Sequence, residues 1–181
     1  MRREIIKILE ILKKGGVILY PTDTIWGLGC DATNEKAISR IYKIKKRDIN
    51  KPMISLVSDT NMLYKYTNSK KFKIPVDNEP TTIIYNDVKN LPKSLVTKEK
   101  TAAFRISSDI FCQKLIKEFG YPIVSTSANI SGKIIPKEYS EITNEIKDNV
   151  DYIVNLRRKE IMDKESKIIL INNDGVIKII R

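Results

Sequence analysis

With 181 residues, a net charge of +11 from 33 basic and 22 acidic side chains, and no histidine, the chain can bury one substantial core and should attract phosphate-bearing partners. Histidine catalysis is excluded, and because Cys30 and Cys112 are the only cysteines, the usual zinc sites and disulfide frameworks are excluded too. No apolar run reaches the roughly 18 to 20 residues of a membrane span, and the first residues lack a signal-peptide profile, so the expectation is one cytoplasmic domain, residues 1–181, with no membrane partner.

Ile5, Ile8, Leu9 and Leu12 recur at helical spacing ahead of Gly15-Gly16, which predicts an amphipathic helix over residues 3–14 with a left-handed stop. Val17 to Tyr20 reads as a strand, closed by Pro21, with Thr22 to Thr24 in a turn at its end. Asn34 can cap a second helix reaching about Lys46, its inner face formed by Ala37, Ile38, Ile41 and Ile44. Met53 to Val57 predicts a short strand, Asp59 to Tyr66 a short helix, and Asn68 to Pro80 a polar loop. Thr81–Tyr85 and Thr101–Ile106 follow as strands. Ser108 can cap a helix carrying Phe111, Leu115, Ile116 and Phe119 that stops at Gly120. Beyond the strand Ile123–Thr126, residues 138–147 suit a short helix and Tyr152–Leu156 a strand. Lys167–Asn172 and Val176–Ile180 suit a hairpin turning at Asn173-Asp174-Gly175. This alternation of helices and strands is that of an α/β sheet with flanking helices.

Three polar blocks interrupt the apolar pattern where strands or helices should end. They are Pro21-Thr22-Asp23-Thr24-Ile25-Trp26-Gly27-Leu28-Gly29, Lys45-Lys46-Arg47-Asp48-Ile49-Asn50-Lys51-Pro52 and Ser125-Thr126-Ser127-Ala128-Asn129-Ile130-Ser131-Gly132. Hydroxyls, amides and cations at strand ends suit a phosphorylated ligand. Twenty-five of the basic residues are Lys and only eight are Arg, beside 31 Ile. Much of the charge excess therefore reads as a solvated Lys-rich face, and Arg47 and Arg105 stand out as positions where a planar, permanently charged fork is needed. The Lys45 to Lys51 cations could equally be the solvated end of a helix. Arg105 could be a strand arginine facing solvent, and the Ser and Asn residues could be ordinary turn formers. Gly27 and Gly29 suit close backbone approach, a bulge or plain packing. Trp26 could be pocket wall or core, and Asp23 reads as a turn-forming residue more readily than as a holder of Mg2+-bound water.

Together with Thr101-Ala102-Ala103-Phe104-Arg105, these blocks resemble the threonylcarbamoyl-AMP synthase family, also called the YrdC family, from about Gly15 to Gly132. The family's Lys-x-Arg and Ser-x-Asn signatures are met by Lys45-x-Arg47 and Ser127-x-Asn129, with Pro-Thr-x-Thr and Thr-x-x-x-Arg in the expected order. The resemblance implies a YrdC-like (RibB-like) fold: an open, twisted, mixed but mostly parallel sheet with a concave basic face. It also implies an L-threonylcarbamoyladenylate synthase, a nucleotidyltransferase that joins L-threonine, bicarbonate and ATP, with Mg2+ accompanying the ATP, for the threonylcarbamoyladenosine modification of tRNA. Lys45 and Arg47 would be catalytic; Lys45, Arg47, Lys51, Thr101, Ser127 and Asn129 would bind the nucleotide; Thr24, Arg105 and Ser125 would bind threonine. No side chain is assigned to a metal. Proteins of the tRNA threonylcarbamoylation pathway, and RNA, would be partners. The chain departs from the family pattern at Leu56, where relatives carry a histidine, and at Ile135-Pro136-Lys137 in place of Ser-Pro-Thr, and it resembles the short single-domain branch. The alternatives are a double-stranded RNA-binding module of the same fold and a carbamoyl-transfer or sugar-phosphate enzyme on it.

Overall fold

Ile5, Ile8 and Leu12 form the buried stripe of α1 (Arg2–Lys13). The computed structural model describes residues 1–68, 79–171 and 177–181. Gly15, at φ +75°, closes α1: its N–H bonds to Leu12 O at 2.9 Å and Gly16 N to Ile11 O at 2.9 Å, the paired bonds of a left-handed helix stop. β1 (Ile18–Tyr20) and β2 (Gly27–Gly29) are antiparallel neighbours. α2 (Glu35–Ile44) begins at Asn34, whose side chain accepts the Ala37 N–H. β3 (Ile54–Val57), α3 (Thr60–Leu63) and β4 (Thr81–Tyr85) follow, then β5 (Ala102–Ile106), α4 (Ile110–Phe119), β6 (Ile123–Ser127), α5 (Asn144–Lys147), β7 (Tyr152–Ile153), β8 (Lys167–Ile171) and β9 (Ile177–Ile179).

The strands form a sheet in the order β7-β1-β2-β6-β3-β5-β4-β8-β9. It is mixed, but the expected parallel majority is corrected. Among the described residues five of the eight strand pairings are antiparallel, and only β1–β7, β3–β5 and β4–β8 run parallel. The chain passes from β1 to β2 through Pro21–Trp26 alone, too short for the dozen or so residues that a parallel crossover needs.

Several boundaries also move. Asp109, not Ser108, caps α4, its carboxylate accepting the Cys112 N–H, because Ser108 is held by Asp23 instead. Residues 138–147 split into a 3-10 turn (Tyr139–Glu141) and the short α5. The strand expected to reach Leu156 ends at Ile153, and the helix expected to reach Tyr66 ends at Leu63. The Asn68–Pro80 loop lies mostly, and the Asn173–Gly175 turn wholly, outside the described residues.

Register decides where a ligand can approach. The pairs Gly27↔Ser127, Ile54↔Ser125, Leu56↔Arg105, Ile84↔Ala103 and Thr82↔Ile168 put all these residues on one face of the sheet. On this face Ile18, Tyr20, Leu56 and Ile123 pack in one cluster with the apolar sides of α1 and α4. Leu19, Leu28 and Val124, on the opposite face, pack with Ile38 and Ile41 of α2. Ser125, Arg105, Ala103, Thr82 and Ile168 are left to line an open cleft. Trp26 belongs to the α2 core, fully buried and 5.3 Å from the Tyr139 ring, so it is core and not pocket wall. Gly29 is demanded by close approach: a Cβ there would stand 2.6 Å from Tyr20 Cε1 and 2.8 Å from Val124 O. Cys30 and Cys112 are both buried free thiols.

Candidate active site

The second polar block is built by the way α2 ends. Lys46 takes a left-handed conformation (φ +48°), while Lys46 N bonds to Lys43 O at 3.1 Å and Arg47 N to Tyr42 O at 3.0 Å. This is the bond pattern made after α1 by glycines, here imposed on a lysine at some conformational expense. The reversal sends Lys45 and Arg47 in different directions. Lys45 is 1% exposed; its amine donates to Ser127 O, to Asn129 O at 2.7 Å and to Asn129 Oδ1 at 3.2 Å. Burial, with the Arg47 charge second, lowers its pKa to about 7, as expected where only neutral oxygens face a buried amine. Arg47 is half-buried and braces its own loop, Nε donating to Lys51 O at 2.8 Å and Nη2 to Pro52 O at 3.3 Å.

The Ser-x-Asn segment is locked against Lys45. Ser127 Oγ donates to Asn129 Oδ1 at 2.6 Å, Asn129 Nδ2 to Lys133 O at 2.6 Å, and Ser131 N to Lys45 O at 2.8 Å. Lys45, Arg47, Lys51, Ser127, Asn129 and Ser131 line one cavity of about 420 Å3. The Ser131 hydroxyl there is buried and has no hydrogen-bond partner among the described residues. Lys45 lines this cavity, with its amine turned toward the carbonyls at the end of β6. Its amine brackets the end of β6, because side-chain reach from the end of α2 meets carbonyls before solvent.

The first block and β5 build the other end. Thr22 Oγ1 donates to Ile25 O at 2.8 Å and accepts the Thr24 N–H at 3.1 Å, fixing the turn after β1. Arg105, 3% exposed, donates from Nη2 to Thr24 Oγ1 at 3.2 Å and to Asp23 Oδ1 at 3.0 Å. Thr24, Arg105, Ser125, Arg47 and Ser127 line a second cavity of about 340 Å3. Arg47 and Ser127 are common to both cavities, so one cleft has a hydroxyl-and-arginine end and a lysine-and-arginine end. Residues from three distant blocks thus converge.

Three features differ from the sequence reading. Thr101 lines neither cavity: its Oγ1 is bonded to that of Thr97 at 2.8 Å, at the start of β5 and about 13 Å along the strand from Arg105. Asp23 is no mere turn former but the ion-pair partner of Arg105. The resemblance also missed Thr82, Glu165, Ser166 and Arg181, which line the Arg105 cavity. Arg181 pairs with Glu165 at 2.9 Å and donates to Ser166 O, and the Thr82 and Ser166 hydroxyls meet at 2.8 Å. Arginine scarcity was the one sequence signal that could have found Arg181. Leu56 is fully buried beside Arg105 in the strand register, so this neighbour of the arginine is apolar.

The fold and this two-ended cleft define a mixed α/β protein with an open sheet, cationic and hydroxyl side chains lining both ends of its cleft. Residues 10–181 match the model of the Sua5, YciO and YrdC proteins, described as "Telomere recombination", and the chain belongs to that family. It is 35% identical over 155 residues to the threonylcarbamoyl-AMP synthase of Pseudoalteromonas translucida, covering 81% of this chain and 82% of that one. The E. coli YciO structure superposes with a TM-score of 0.82 at 27% identity, over 100% of this chain and 89% of the other. P. abyssi Sua5, solved with L-threonine, shares the fold with a TM-score of 0.79 at 23% identity, over 98% of this chain and 53% of that one.

Proposed function

We propose that the chain, acting as one catalytic unit over residues 1–181, is an L-threonylcarbamoyladenylate synthase. It forms threonylcarbamoyl-AMP and pyrophosphate from L-threonine, bicarbonate and ATP, to supply the threonylcarbamoyladenosine modification of tRNA. The observation that carries this reading is the single cleft in which Arg47 and Ser127 border both the Arg105 end and the Lys45 end. The curated relatives support the enzyme over the double-stranded RNA-binding alternative.

In this reaction the threonine amine attacks the bicarbonate carbon, and the C–N bond forms as a C–O bond breaks and water leaves, giving a carbamate. An oxygen of the resulting carbamate then attacks the α-phosphorus as pyrophosphate leaves. The step needs alignment and charge stabilisation more than a strong protein nucleophile, so a chain without histidine can perform it. Arg105, between Thr24 and Ser125, receives the amino-acid carboxylate. Ser127 stands at the junction of the two substrates. Arg47 and Lys51 face the phosphates, Arg47 nearest the point where negative charge moves onto the leaving group. Asn129 and Ser131 complete the wall. Lys45 shapes that wall through the Ser127 and Asn129 carbonyls, and a triphosphate nearby favours its protonated form.

Among the described residues there is no group of three or more carboxylate or thiol side chains placed to hold a metal. A Mg2+ ion arriving with ATP would therefore rest chiefly on phosphate oxygens, with Asp48, on the Lys45 side of the cleft, as the carboxylate at hand. Its contribution there is to neutralise phosphate charge.

Among the described residues no helix is long and apolar enough to cross a membrane. We place the enzyme in the cytoplasm, handing its adenylate to other proteins of the tRNA threonylcarbamoylation pathway. The test is pyrophosphate release from ATP, expected only when L-threonine and bicarbonate are both present. Release indifferent to either substrate would overturn the assignment. Tight duplex RNA binding with a steep salt dependence and no such release would restore the binding-module reading.

A further inference from the structure

Arg105 reaches the cleft with two of its five N–H donors already committed. Nη2 carries two hydrogens, and both have acceptors: Asp23 Oδ1 at 3.0 Å and Thr24 Oγ1 at 3.2 Å. The Nε–H is buried away from the cleft without a partner among the described residues, whereas Nη1 has no hydrogen-bond partner among them and is not buried. A carboxylate gripped by two parallel bonds from one guanidinium edge needs Nη2 together with Nε or Nη1, and Nη2 is taken.

Asp23 is itself held on both oxygens. Its Oδ2 accepts from Ser108 N at 3.1 Å and from Ser108 Oγ at 3.4 Å, while Oδ1 faces the arginine. The carboxylate is 4% exposed and does not line the cavity that Arg105 lines. A strap on the far side fixes the same turn: Arg157 Nη1 donates to Thr22 O at 3.0 Å and to the α4 cap, Asp109 Oδ2, at 2.8 Å. The Pro21–Ile25 turn, the start of α4 and the end of β5 are thereby tied together through Asp23, and from that group Arg105, Thr24 and Ile25 line the cavity.

We propose that Asp23 is the positioning residue of the amino-acid end: by occupying Nη2 it fixes the guanidinium so that Nη1 alone, and not a two-nitrogen fork, receives the substrate carboxylate. This rests on the cleft accepting threonine as argued above. It assigns to Asp23 no contact with the substrate. Asn cannot replace it, since Arg105 and Ser108 N each require an acceptor and an amide offers only one oxygen. Glu keeps the charge and both oxygens on a longer arm.

The experiment first establishes threonine-dependent pyrophosphate release by the wild-type protein; its absence there would overturn the functional reading alone, and threonine titration followed by NMR then decides the role of Asp23. Steady-state threonine and ATP titrations then follow for Asp23→Asn, Asp23→Ala and Asp23→Glu. The expected result is a threonine KM raised about tenfold or more in Asp23→Asn and Asp23→Ala, with kcat and the ATP KM changed less than about threefold, and partial recovery in Asp23→Glu. A second measurement uses the intact protein: with 15N-labelled arginine, threonine addition should move the Arg105 Nη1 protons while the Nη2 protons keep their positions. Two outcomes overturn the proposal. One is an unchanged or lowered threonine KM, the lowered value meaning that Asp23 competes with the substrate. The other is an Nη2 signal that moves with threonine, meaning that the ion pair opens to admit the ligand.

Discussion

The cleft holds two buried cations, Arg105 and Lys45, and the protein treats them differently. Arg105 has a carboxylate partner, Asp23, also buried, so its charge is compensated within the fold before any substrate arrives. Lys45 is still less exposed, yet its hydrogen-bond partners are the backbone and side-chain oxygens of Ser127 and Asn129. Neutral oxygens stabilise an ammonium less than a carboxylate does, and the lysine's pKa falls to about 7. A compensated cation suits a ligand recognised by shape and single hydrogen bonds. An uncompensated one suits a polyanion that brings its own charge.

The comparison breaks most visibly at Arg47, which belongs to both ends. Arg47→Ala should slow turnover by about 100-fold or more, the scale of losing one transition-state donor, read as kcat at saturating threonine and ATP. Arg105→Ala should leave the ATP requirement nearly untouched and raise the threonine KM by more than about tenfold. It should also lower stability by about 3 to 5 kcal/mol, because the Asp23 carboxylate stays behind buried and unpaired; chemical denaturation measures that part, and a small loss would show that Asp23 is not confined by its surroundings.

Lys45→Met sharpens the other side through pH. Below pH 7 the native and unfolded amines are both charged and the burial penalty is present in full. Between about 7 and 10.5 the unfolded chain holds the proton that the native one has released, so wild-type stability gains on the variant as pH rises. Denaturant unfolding of both proteins at pH 7 and pH 9 should show that gap moving toward the wild type; a constant gap would mean that Lys45 stays charged. The smallest effect is expected at the helix end that presents both groups. Lys46→Gly removes the left-handed strain seen at φ +48° and also an exposed ion pair to Glu145 at 2.7 Å, of little worth. Its melting temperature should stay level or rise, by up to about 1 kcal/mol of stability.

How much of this was legible beforehand follows from how local each signal is. The α2 helix was readable because Asn34, Ala37, Ile38 and Ile41 stand within one helical repeat, and its cap bond forms as expected. Gly15 announced the end of α1 for the same reason. The Lys46 turn was unreadable: no glycine marks it, and a lysine takes the left-handed conformation there. The role of Asp23 was hidden because Ser-like turn chemistry is the ordinary reading of an Asp after a proline, and its true partner lies 82 positions along the chain. Glu165, Ser166 and Arg181 were missed because the recognised motifs end at Gly132.

Composition, hydrophobic periodicity and four short motifs determined the class of this protein, the residues that carry its charge and the order in which they come, since those depend on identity and near-neighbour spacing. The tertiary structure alone decided which cation is paired and which is left to lose its proton, because that depends on which oxygens a folded chain brings within 3 Å of each nitrogen. It also decided that the strands run mostly antiparallel and that the last residue, Arg181, returns to the cleft, since pairing across a sheet is set by long-range packing and not by local pattern.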